Sequence, residues 1–311
     1  MGGAERLRQV LFASLAALGL ASPAIADPAI WKVSDADSSI HLFGSVHVFT
    51  RELNWRTPQF DALLAAADYV TFELVMDLDA YATVSEMGIT KGRLPGGQTL
   101  ADLLSADDYE RFRTIVTGAG MDPAALDRLQ PWLAAMTLMS PGGVDMRAGV
   151  ELTIEPTLPA ERKRGLETAA QQMAFLADAP LDEQLASLRS TLDAMEAGID
   201  FAFEPLVDAW LRGDADTLAR LVEEQMSAGD DPVYDRLITQ RNENWIAPLE
   251  QMLADNDDSL VIVGAAHLVG DNGVPAILAA KGYRVERVDA PAFDTRSGPL
   301  AGALGRAITR R

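Results

Sequence analysis

The chain has 311 residues, no cysteine, 48% apolar residues and a formal net charge of −20. That composition supports a packed core and excludes a disordered chain, a disulfide-stapled domain and a thiolate metal site. The negative charge disfavours a phosphate backbone as ligand, so no nucleic-acid partner is expected, and no basic amphipathic face is offered to anionic lipid.

Residues 1–26 have the build of an export signal: Arg6 and Arg8, the apolar run VLFASLAALGLA, then the small-residue site AIA before Asp27. Cleavage near Ala26 and Asp27 leaves an exported, periplasmic protein. It would have no stable membrane anchor, because no later run approaches the roughly 20 apolar residues of a spanning helix. WKV, the turn SDADSS and IHLFGSVHV predict a strand pair over 31–48. Thr57 and Pro58 then open a helix with Phe60, Leu63, Leu64 and Ala67 on one face. DYVTFELVM reads as a second core strand ending at Glu73 or soon after.

From about 99 to 256 the pattern is helical, with Ser105 and Asp122 as caps and Gly or Pro-Gly-Gly stops. Within it, ERKRGLETAAQQMAFLA holds a short strand around Gly165 ahead of its helix. SLVIVG, VPAILAAKG and YRVERV then restore strand, helix and strand, and the tail 291–311 reads as loosely ordered. The expected fold class is α/β (α+β). One domain over 27–290 carries a central mixed sheet built from both chain ends, about 30–76 and 258–289, with the helical stretch inserted between them.

FGSVHV and VGAAHL echo one another: Gly44 with His47 and Gly264 with His267, each a Gly-x-x-His at the end of an apolar strand. The glycine lets the strand end turn or another backbone approach, and the histidine projects at the sheet edge where open α/β folds bind ligands. A lone motif of this kind is more often a hydrogen-bonded core histidine. Two at equivalent places, in a chain with three histidines, predict one cleft. His41 lacks the glycine and reads as structural.

Glu73 interrupts the apolar run VTFELV, and a carboxylate there is costly to bury unless it is paired or binds a metal. With His47 and His267 it makes a His/His/Glu donor set suited to a divalent manganese, cobalt or zinc ion. Arg241 and Asn242 in TQRNENW precede the SLVIVG strand, and the guanidinium could hold a substrate carboxylate or carbonyl by two hydrogen bonds. Glu167 in RGLET is either a second acid in the cleft or a first-turn helix acid.

Taken in order, LFGSVHV, DYVTFEL, GVD, RGLETAAQQ, DAWLRGD, QRNENW and VIVGAAHLVGDNGVPAILAAKGYRVERV resemble the TraB/GumN family, whose relatives include the Tiki metalloproteases. The stretch VELTIEPTLPAERKRGLET is less regular than the Ala/Lys-rich helix that family usually carries there. The resemblance implies that His47, Glu73 and His267 carry the site, that Gly44 and Gly264 shape it and that Arg241 lines it. It further implies a divalent-metal-dependent peptidase of the cell envelope, acting on a peptide or envelope-derived substrate. Two rivals stand beside that expectation: a binding protein that holds a peptide or glycan uncleaved in the same cleft, and metal-independent hydrolysis with one histidine as base.

Overall fold

The computed structural model describes residues 27–49, 51–139, 147–226 and 232–288. The export segment, the GVD motif and the tail expected from the sequence lie outside those residues. The first strands are β1 (Ile30–Ser34) and β2 (Ser39–Ser45), followed by the two-residue β3 (Val48–Phe49). Asp35 turns the hairpin, its carboxylate accepting from the Ser38 amide and hydroxyl, each at 2.9 Å. Next come β4 (Tyr69–Phe72), β5 (Arg147–Ala148), β6 (Lys163–Gly165), β7 (Ser259–Gly264) and β8 (Arg284–Arg287).

Six of these form one sheet in the order β6-β4-β7-β2-β1-β8, while β3 and β5 form a small antiparallel pair. Strands β6, β4, β7 and β2 run parallel, and β1 is antiparallel to both its neighbours. The sheet is therefore mixed, as the sequence predicts. The central strands are apolar on both faces: all of β7 is buried, and so are Ile40, Leu42 and Phe43 of β2. That is the pattern of parallel strands covered on both sides.

The helix Pro58–Ala66 starts as expected, with the Thr57 hydroxyl accepting from the Phe60 amide at 3.1 Å. It buries Phe60 against Phe43 (ring centroids 4.6 Å apart) and Trp55 (5.1 Å). Burial of rings in this edge and tilted geometry adds to the area term. A second core, built around Leu100, Phe112, Val116, Leu188 and Leu192, sits among the inserted helices.

Two features depart from the sequence reading. The helix Leu78–Lys91 was not anticipated: Asp77 caps it, but Ala80 is its only buried residue, so no apolar stripe marks it. β6 lies inside the helical stretch yet joins the main sheet through β4, so the sheet draws on more than the two chain ends. The stretch after β5 is as irregular as its sequence reads: a five-residue helix, Val150–Ile154, is followed by 3-10 turns at Glu155–Thr157 and Ala160–Arg162. Among the described residues no helix is long and apolar enough to cross a membrane.

Candidate functional site

The C-terminal ends of the four parallel strands face the same way and carry the polar residues in succession. His47 lies two residues past β2, Glu73 one past β4, Glu167 two past β6, and Gly264 closes β7 ahead of the 3-10 turn Ala265–Leu268 that holds His267. Since β2 and β7 are adjacent and Ser45 is in register with Gly264, the two histidine motifs are delivered side by side. A side chain at Gly264 would meet Glu73 Oε1 at 3.1 Å, His47 Nε2 at 3.4 Å and the His267 ring at 3.5 Å, so glycine here keeps open the space on which all three converge. Gly44 has a packing role instead: a methyl there would press on Ala265 at 3.1 Å. His41 is at the start of the same strand, opposite Lys32, away from this edge.

His267 is buried and held from both ring nitrogens. Its Nδ1 is 2.6 Å from Asn242 Oδ1. Because the Asn242 amide already donates to Asn272 O at 2.7 Å, its oxygen accepts, so Nδ1 carries the proton and Nε2 the lone pair. Arg241 Nη1 lies 3.1 Å from that Nε2, and Trp245 covers the ring with centroids 4.4 Å apart. Burial lowers the His267 pKa to about 3, despite the opposing charge of Glu73.

Arg241 is the centre of the arrangement. Its Nε and Nη2 grip the two oxygens of Glu167, each at 2.9 Å, and Nη2 reaches Glu73 Oε2 at 2.5 Å. Glu73 Oε1 accepts from the Gly264 amide at 2.7 Å. Burial works against the Glu73 charge, but His267, Arg241, His47 and that amide outweigh it and hold the pKa down to about 2. A π-helical turn, Asp235–Thr239, immediately precedes Arg241, and such turns re-aim side chains within a helix. The fork of Arg241 is thus engaged within the protein by Glu167, where the sequence predicts a grip on substrate. Glu167 in turn is a buried acid whose two oxygens accept from Arg241.

His47 sits at the mouth, its side chain 61% exposed. Its Nδ1 is 2.9 Å from Glu151 Oε1, which also accepts from the Ser45 hydroxyl. Desolvation opposes a charge on His47, but the hydrogen bond and charge of Glu151 raise its pKa well above the usual histidine range. Glu151 is the site residue that sequence reasoning missed. It lies in the irregular stretch, where no strand end or glycine points to it; the signal available was an acid following Gly149 in RAGVE. Glycine is required at 149, because a methyl would lie 2.1 Å from the His47 carbonyl. That contact lets the Gly149 and Val150 amides bond His47 O and Val46 O at 3.1 and 3.0 Å.

The donor chemistry fits a divalent ion in one respect. Each imidazole has Nδ1 anchored by an oxygen, as metal-binding histidines do, and His47 turns its Nε2 to the shared space, while the His267 Nε2 lies against Arg241. The carboxylate does not complete the set as it stands: Glu73 is 3.8 Å from His267 Nε2, with both oxygens bonded to Arg241 and Gly264. Among the described residues no three His, Cys, Asp or Glu side chains form a group that could hold a metal ion.

The architecture defines an α/β protein with a histidine–carboxylate–guanidinium site at the C-terminal edge of its parallel strands. The chain belongs to the TraB/PrgY/gumN family, whose family model matches residues 29–287. It is also similar to metalloprotease TIKI2 of Xenopus tropicalis, 24% identical in an alignment of length 314 that covers 83% of this chain and 60% of that relative. The chain therefore spans less than two thirds of that relative's length. No solved structure matches it significantly.

Proposed function

We propose that this protein is a metal-dependent hydrolase of peptide bonds. The observation that carries the reading is the convergence of two imidazoles, each anchored at Nδ1, with Glu73 Oε1 on the space beside the Gly264 strand end. His47 and His267 would hold the ion, with Glu73 as the acidic member. Manganese, cobalt or zinc would polarise the scissile carbonyl and supply an activated water. Asn242 leaves the His267 Nε2 unprotonated for that task, whereas His47, held cationic by Glu151, must surrender its Nε2 proton before it can bind an ion. Arg241 neutralises Glu73 and keeps it ionised. The family membership and the similarity to a metalloprotease support this reading. The arginines and the AIA site near the start support export to the periplasm, which N-terminal sequencing of the mature protein tests.

The test is metal content and peptide cleavage for the unaltered chain and for His47→Ala and His267→Ala. Metal and activity lost together in both variants, with circular dichroism unchanged, support the assignment. Unaltered values in both would refute it, and saturable binding of peptide recovered intact would identify a binding protein. One observation favours metal-independent hydrolysis as the second reading: Arg241 already bridges Glu73 and His267 Nε2. Cleavage that survives exhaustive chelation would select it.

A further inference from the structure

An apolar cavity of about 210 Å³ opens among the inserted helices beside the site. Trp132 and Met136 of the helix Pro131–Leu138, Phe175 of the helix Ala169–Ala177, Ala179, and Leu237 of the π-turn contribute to its wall. Its two charged lining residues neutralise each other, Arg236 donating to Glu183 at 3.0 Å, so the cavity presents no net charge to a guest. Among the described residues, the buried indole N–H of Trp132 has no acceptor. The cavity shares walls with the catalytic edge: the Phe175 ring lies 5.9 Å from the Arg241 guanidinium, and Leu237 O accepts from Arg241 Nη1 at 3.4 Å.

Water in an open apolar pocket gains little from its walls, so an apolar guest that displaces it is favoured. A cavity of roughly 150 Å³ takes a benzene-sized guest, so this one has room for an aromatic ring or a long aliphatic side chain. A peptide brings an apolar side chain together with carbonyl acceptors, and its backbone can continue past Phe175 to the histidines. We propose that this cavity is a side-chain subsite, receiving one large apolar residue of a peptide bound across the sheet edge. The inference rests on the peptide reading above and gives that substrate its class: peptides with an aromatic or long aliphatic residue close to the bond at the site.

The experiment uses labelled Gly/Ser hexapeptides that differ at one position, Phe against Asp, with binding followed by fluorescence anisotropy to the full chain and to its His47→Ala variant. The Phe peptide is expected to bind about tenfold or more tightly to both. Filling the cavity by Ala179→Phe, or by Ser187→Leu should the first variant fail to fold, is expected to abolish that preference. An unchanged preference in the folded filling variant, or none in the unaltered chain, overturns the subsite. Selective binding of the Phe peptide without cleavage keeps the subsite and counts against the hydrolase. Equal binding and cleavage of both peptides keeps the hydrolase and removes the subsite.

Discussion

His47 and His267 occupy equivalent positions on adjacent strands, yet their surroundings push them to opposite charge states. His267 is buried beside Arg241 and stays neutral, whereas His47 at the mouth is held cationic by Glu151. For His267 the native pKa, about 3, lies below the ordinary 6.5, so the unfolded chain takes up a proton that the native chain refuses. The stability that His267 contributes to the metal-free chain is then complete above about pH 6.5 and falls as pH drops toward 3, whereas the raised pKa of His47 contributes stability that is complete below about pH 6.5 and lost as pH rises toward 9. Glu73, lowered from 4.5 to about 2, adds a further loss between those values. Urea unfolding at about pH 6.5 and about pH 4.5, where the His47 contribution is constant, should show the decline, and His267→Gln should flatten it. Removing Arg241 leaves Glu73 and Glu167 buried without a cation, so Arg241→Ala should cost on the order of 3–5 kcal/mol of stability, read from the same curves. Glu151→Gln keeps the fold but loses the anchoring charge on His47. A manganese or zinc titration should show affinity about 10- to 100-fold weaker, partly restored by Glu151→Asp.

At the level of elements, short irregular pieces place the site on a regular sheet. The backbone of residues 147–150 clamps the chain after β2 through the β3–β5 pair and the Gly149 and Val150 amides. Gly149→Ala drives a methyl into backbone atoms that have no rotamer to yield. It should destabilise by roughly 2–4 kcal/mol and weaken ligation by His47 as well. Gly264→Ala is a different kind of change, since its nearest neighbours are site side chains. It should alter metal binding or cleavage while shifting the unfolding midpoint little.

Among the described residues there are two hydrophobic clusters, one on the sheet and one among the inserted helices. The residues of the site proper belong to the sheet edge, and the apolar cavity belongs to the helices. Phe112 is fully buried in the helical cluster, so Phe112→Ala should cost about 3–5 kcal/mol there. Hydrogen exchange of that variant should show protection lost first in the inserted helices and retained in β2 and β7.

The paired Gly-x-x-His segments, the apolar strands around them and the acid that interrupts VTFELV were legible because hydrophobic runs and rare residues are local features. The helix Leu78–Lys91 and β6 were hidden or only faintly marked, for one is nearly all exposed and the other is three residues long. The role of Arg241 was also unreadable. A helical arginine is ordinarily solvated, and only the π-turn and the packing of Trp245 and Glu167 against it bury it here. By itself the sequence determined the α/β class, the two strand ends and the identity of most side chains at the site. Tertiary structure alone decided their states: which histidine is charged, that Glu151 anchors one of them, and that Glu73 faces Arg241. Those outcomes depend on burial and on contacts between residues 74 to 191 positions apart, which no local pattern records.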